Sequence, residues 1–125
     1  MNSVLIYCVV TLLLIAVQYL AGKSLQRSGK PYKASTLVFH ILLALAITAG
    51  VSFINVEFQE TIPVKQFPVI SMGIAGLLLW VNIITGIILA VRKKVKKGLV
   101  VTHKISMFLI AFAIAVNSVL LILGI

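Results

Sequence analysis

The chemistry available to this sequence is concentrated in two side chains. His40 and His103 are the only histidines among 125 residues, and an imidazole can ligate a metal, exchange a proton or hold a hydrogen bond according to its surroundings. Each stands early in a long apolar run, His40 five residues past Ser35 and His103 four past Leu99. On helices entering from one side, both rings fall roughly 6–9 Å below the surface, since an α-helix rises about 1.5 Å per residue. Similar text follows them: His40-Ile-Leu-Leu-Ala-Leu-Ala-Ile against His103-Lys-Ile-Ser-Met-Phe-Leu-Ile-Ala-Phe-Ala-Ile. Two imidazoles at one depth are a pair of nitrogen donors able to meet across a bundle core.

Few other groups compete with them. The apolar runs contain Gln18, Asn82, Asn117 and several serines and threonines, but no Asp, Glu or Arg. Lys104 is the one formally charged residue inside a run. Zinc hydrolysis fits poorly, because no carboxylate lies near either histidine to act as base. His103 and Met107, one turn apart, would suit copper, although Met107 also reads as core packing. No phosphate loop, nucleophile elbow or paired acid occurs. The single cysteine, Cys8, excludes a disulfide framework and reads as a small buried hydrophobe. Asn82 and Asn117 are expected to hydrogen-bond between helices, with a quinone or substrate contact as the functional alternative. Trp80, central in its run, suggests packing inside the bundle or against a partner.

The elements that position these residues follow from composition. The chain is 62% hydrophobic and 10% charged, with a mean hydropathy of +1.21, whereas soluble domains are about half apolar and a quarter charged. A soluble domain this small could not hide that excess. Four runs are long enough to cross a bilayer, which takes about 20 helical residues: Val4–Ala21, Ser35–Ile54, Val69–Val91 and Leu99–Ile125. Their continuity favours helices over the short alternating segments of a barrel. The connections carry turn signals: Ser28-Gly29-Lys30-Pro31 before the second run, with Ser35 or Thr36 as N-cap, and Gly98 before the fourth. The segment around Pro63 and Pro68 fits either a small hairpin or an interfacial helix. Tyr7, Tyr19 and Tyr32 fall near expected interfaces.

Charge orients the runs. Lys23, Arg27, Lys30, Lys33, Arg92, Lys93, Lys94, Lys96, Lys97 and Lys104 account for ten of the eleven basic residues and flank the first and third connections. The second connection carries only Lys65, with both acids, Glu57 and Glu60. The positive-inside rule then makes the basic side cytoplasmic and puts both termini outside. A cleaved leader is not expected, because Met1–Ser3 lacks a basic n-region. The net charge of +9 is explained by orientation and by contact with anionic headgroups. No nucleic-acid motif accompanies it. The expected fold is all-α: one transmembrane four-helix bundle, 1–125, built from two hairpins of the same sense. Such hairpins form a parallel repeat about an axis along the membrane normal; in an antiparallel bundle the second and fourth helices can then be diagonal partners, with their histidines facing across the core.

Two facing imidazoles in a dry bundle suit the axial positions of haem b. Ala44, one turn past His40, Ser106, three residues past His103, and Gly86 supply small residues for a flat ring. Gly73 and Gly76 thin the same helix as Gly86. Lys104, Lys33 and Lys30 lie within reach of the haem carboxylates, and Gln18 could orient a histidine or a carboxylate. On Phe39-His40 and Val101-Thr102-His103-Lys104, the chain resembles a small four-helix membrane cytochrome b, the kind that anchors respiratory oxidoreductases or carries electrons. Two-haem relatives place a second histidine about four turns along the same helix, but here Ile54 and Asn117 stand fourteen residues beyond His40 and His103. The resemblance thus implies at most one haem, on the cytoplasmic side, ligated by His40 and His103. It also implies exchange with a quinone or a redox partner in a multi-pass cell membrane, expected to be a prokaryotic plasma membrane. The competing readings are a cofactor-free structural or assembly subunit, in which the histidines merely satisfy neighbouring helices or the interface, and a small transporter. The last lacks the membrane-embedded acid that cation or proton carriers usually need.

Overall fold

A computed structural model describes the backbone over residues 3–61 and 66–123, and the side chains over 4–57 and 70–123. Four helices account for nearly all of it: α1 (Ser3–Ser28), α2 (Ala34–Thr61), α3 (Gln66–Val91) and α4 (Lys97–Leu123). Each contains a window long and apolar enough to cross a membrane. The chain is an all-helical, multi-pass membrane protein.

The helices outrun the apolar segments that announce them. Hydropathy marks where lipid ends, whereas a helix continues until its backbone is stopped. α1 passes Ala21 and ends at Gly29, whose φ of 69° suits the residue type that tolerates the left-handed region. There the Gly29 amide bonds the Leu25 carbonyl at 3.1 Å. α2 likewise passes Ile54 to include Glu57 and Glu60. It begins one residue before Ser35, and its ladder opens with the Leu37 amide on the Lys33 carbonyl at 3.0 Å; Ser35 and Thr36 sit in the first turn rather than capping it. Gly98 lies inside the first turn of α4, not before it. Pro68 falls in the first turn of α3, where its missing N–H has no intrahelical partner to lose. Of the alternating run Val64–Phe67, residues 64 and 65 lie outside the described residues, and Gln66 opens α3.

Neighbouring helices are antiparallel. Tyr7 stacks on Phe53 with ring centroids 5.9 Å apart, and Gln18 meets His40. Ser71 meets Asn117, and Thr85 meets His103. α1 packs most extensively on α2 and α3 on α4, while α1·α4 and α2·α3 form two slighter seams that close a ring. Among the described residues no backbone approach joins α1 to α3 or α2 to α4, so these are the diagonals. The two basic connections lie together at one end, because Lys30 Nζ donates to the Arg92 carbonyl.

The core holds Val4, Cys8, Ile47, Val51, Ile54, Met72, Ile110 and Ile114, and Met107 packs against it. Buried among these are polar side chains: Thr11, Gln18, Asn82, Thr85, Ser106, Asn117 and Ser118. The outer surface along the spans exposes large apolar side chains, Leu13, Leu20, Leu77, Ile87 and Phe112 among them, as a lipid-facing surface requires. Trp80 is 66% exposed and faces outward, which removes the expectation that it packs inside the bundle. Hydroxyls within the helices back-bond to their own turns, as Thr48 does to the Ala44 carbonyl at 2.8 Å, the usual way to satisfy a hydroxyl in hydrocarbon. One close approach is sequence-specific: a Cβ on Gly50 would collide with Thr11 Oγ1.

Candidate functional site

α2 and α4 bring His40 and His103 toward each other across the diagonal, with ring centroids 6.3 Å apart and planes inclined by 57°. Two imidazole nitrogens on one metal, each with a bond of about 2 Å, put their ring centres roughly 6 Å apart. The separation thus suits two nitrogen donors on opposite sides of one ion. Among the described residues no group of three or more His, Cys, Asp or Glu side chains converges.

The neighbouring helix hydrogen-bonds the backbone of each histidine, and in the second hairpin its ring as well. In the second hairpin, the Asn82 side chain donates from Nδ2 to the His103 carbonyl at 2.8 Å and to Ser106 Oγ at 3.0 Å. Ser106 donates to the same His103 carbonyl at 2.8 Å. His103 Nδ1 lies 3.0 Å from the Asn82 carbonyl and 3.0 Å from Thr85 Oγ1. A carbonyl oxygen can only accept, so this contact requires the proton on Nδ1, and in the neutral ring that leaves the lone pair on Nε2. That is the tautomer a metal-bound histidine adopts when its other nitrogen is held by a carbonyl. Thr85 sends its own hydrogen back to the Val81 carbonyl at 2.8 Å and faces Nδ1 as acceptor. Gly86 leaves the room: a Cβ there would lie 3.0 Å from His103 Cε1.

In the first hairpin, Gln18 donates from Nε2 to the His40 carbonyl at 3.0 Å. A Cβ on Gly22 would lie 3.4 Å from His40 Cε1. Here the ring is less completely held. His40 Nδ1 and Gln18 Oε1 are both buried without a hydrogen-bond partner among the described residues. The position three residues after Gln18, where Thr85 stands relative to Asn82, is Ala21, which offers no hydroxyl.

The other expected site residues divide. Gln18, 5% exposed, and Ser106 stand beside the two histidines, and Gly86 lies against His103. Ala44 follows His40 by one turn and accepts from Thr48. Lys104 reaches α1, donating to Gln26 Oε1 at 2.6 Å, while Lys30 closes the end of α3 through the Ala90 carbonyl at 3.5 Å and that of Arg92. Both asparagines hydrogen-bond between helices as expected, Asn117 through Ser71 at 2.9 Å. Gly73 and Gly76, by contrast, face nothing within 4 Å. The sequence reading missed Gly22, because it sits beside Lys23 at the edge of a basic connection. It also missed Thr85, one hydroxyl among many, whose i+3 spacing from Asn82 was the available signal.

No family model, no curated protein and no solved structure matches this chain.

Proposed function

We propose that this protein is an integral membrane electron carrier that holds one haem b between His40 and His103. The observation that carries the reading is the imidazole pair, 6.3 Å apart across the α2/α4 diagonal, with His103 Nδ1 3.0 Å from the Asn82 carbonyl, a contact that favours the tautomer with its lone pair on Nε2. The fit is further supported by the unpartnered His40 Nδ1 and by the glycine that makes way for His103. Bound there, haem iron would accept and return one electron. The chain's own residues do the rest. Asn82 and Thr85 orient His103, Gln18 anchors the turn carrying His40, and the apolar helices keep bulk water from both rings.

The two hairpins are read as one plan used twice. What supports this is spacing: Gln18 and Gly22 flank His40 as Asn82 and Gly86 flank His103, four residues apart in each case. The basic end is assigned to the cytoplasm and both termini to the outside, on the strength of ten basic residues against one. In a Cys8→Ala background, Lys94→Cys is expected to label from the cytoplasmic face only and Lys65→Cys from the outer face only. The placement fits a prokaryotic plasma membrane, with a quinone or a redox subunit as exchange partner.

The test is a reduced-minus-oxidised optical spectrum of protein purified after expression with ample haem. A Soret band that disappears in His40→Ala and His103→Ala is the expected result. A blank spectrum overturns the proposal and leaves the structural-subunit reading. A spectrum unchanged in both variants overturns the ligand assignment.

A further inference from the structure

The cytoplasmic-end surface of α1 carries a depression independent of the histidines. It has a volume of about 540 Å³ and is lined by Tyr19, Leu20, Lys23, Ser24, Arg27 and Ser28. Lys23 and Arg27 stand one turn apart, and Ser24 and Ser28 do the same beside them. The hydroxyl of Ser28 donates to the Leu25 carbonyl at 3.2 Å, and Lys23 Nζ lies 5.4 Å from the Tyr19 ring centre. Both acids of the chain, Glu57 and Glu60, belong to the far end of α2, so among the described residues no carboxylate stands beside these two cations.

The depression does not stand alone. Leu13, Val17 and Leu20 are exposed on α1, and the series 13, 17, 20, 24, 27 follows the three-and-four spacing of one helix face. That face is therefore apolar through the membrane and becomes cationic and hydroxyl-bearing where the helix leaves it. A phospholipid has the same profile, an acyl chain below and a phosphate above. Lysine and arginine beside a membrane surface favour anionic lipid, and an arginine with the adjacent Ser24 hydroxyl supplies the donors a phosphodiester oxygen needs.

We propose that this face of α1 is a binding site for one anionic phospholipid, its phosphate held by Lys23, Arg27 and Ser24 and one acyl chain lying along Leu20, Val17 and Leu13. The shared chemistry is a phosphate group, and the apolar track beneath it selects the lipid over free phosphate.

Native mass spectrometry of the full chain in detergent separates the possibilities, with phosphatidylglycerol, phosphatidylcholine and inorganic phosphate as probes. Phosphatidylglycerol is expected to remain bound and phosphatidylcholine to bind at least about tenfold more weakly. Lys23→Ala/Arg27→Ala is expected to lose the preference. Lys96→Ala/Lys97→Ala, with the same charge change elsewhere on the same side, is expected to keep it. Ser24→Trp fills the depression without altering charge, so it tests the site even if the double variant misfolds, and it should weaken phosphatidylglycerol by a similar factor. Equal binding of the two lipids, equal loss in both double variants, or binding unaffected by Ser24→Trp overturns the proposal. Displacement of phosphatidylglycerol by millimolar inorganic phosphate also overturns it, in favour of a free-phosphate site.

Discussion

Asn82 and His103 are joined twice: the Asn82 amide donates to the His103 carbonyl at 2.8 Å, and His103 Nδ1 donates to the Asn82 carbonyl at 3.0 Å. The pair fixes both the backbone and the ring of one residue from a neighbouring helix, inside a membrane where water is not available to do either. Helix association in lipid rests on packing and such bonds rather than on a hydrophobic drive between helices.

Replacing Asn82 with Leu removes the amide bonds to His103 and Ser106 and leaves their oxygens to each other. The α3/α4 hairpin is expected to lose about 0.5–2 kcal/mol, the range of interhelical polar contacts in membranes. Unfolding in mixed micelles measures this. A variant as stable as the parent would show that the contact contributes nothing net.

The hydrogen-bond pattern predicts a definite tautomer for His103, protonated at Nδ1. Nitrogen-15 spectra of the cofactor-free protein should show that form, and they should show it more weakly for His40, whose Nδ1 has no partner among the described residues. Ala21→Thr puts a hydroxyl where Thr85 stands in the other hairpin and is expected to shift His40 toward the same tautomer. Identical spectra for the two histidines in the parent protein would contradict the asymmetry.

Gly50 and Thr11 make a separate test of packing. Gly50→Ala drives a methyl group into the Thr11 hydroxyl and is expected to cost about 1–3 kcal/mol by overpacking. Thr11→Ala removes the colliding atoms, so the double variant should recover most of that loss. A double-mutant cycle with no coupling would place the strain elsewhere.

The glycines near the histidines should respond unequally. Gly86→Ala brings a carbon to 3.0 Å from a ring held by Asn82 and Thr85, whereas Gly22→Ala makes an ordinary contact at 3.4 Å. The first is expected to destabilise and to move the His103 resonances, and the second to do neither. Gly73→Ala, facing open space, should gain up to about 1 kcal/mol from helix propensity. Thermal unfolding of the three variants checks the order.

How much of this was legible in the sequence depends on the force involved. The four helices were, because lipid demands long uninterrupted apolar runs. The alternating direction of the helices followed from two basic turns at one end; that α2 and α4 lie on a diagonal was one arrangement this allowed, and packing selects it. Helix ends were not, since Gly29 and not Ala21 stops α1. At the site, the common depth of His40 and His103 could be counted off by residue number. Their seating could not, because it depends on which face of α1 and α3 turns inward. Neither Gly22 nor Thr85 differs in type from glycines and threonines that face nothing in particular.

Lys30 and Lys104 have a consequence beyond charge. Lys30 crosses from the first connection to the carbonyls that end α3, and Lys104 crosses from α4 to Gln26 on α1. Both lysines therefore join one hairpin to the other, and both do so at the same end. These two amines thus add polar ties at one end of a ring that the α1·α4 and α2·α3 seams already close. Acylation of those amines would remove the ties and leave that end of the bundle joined by packing alone.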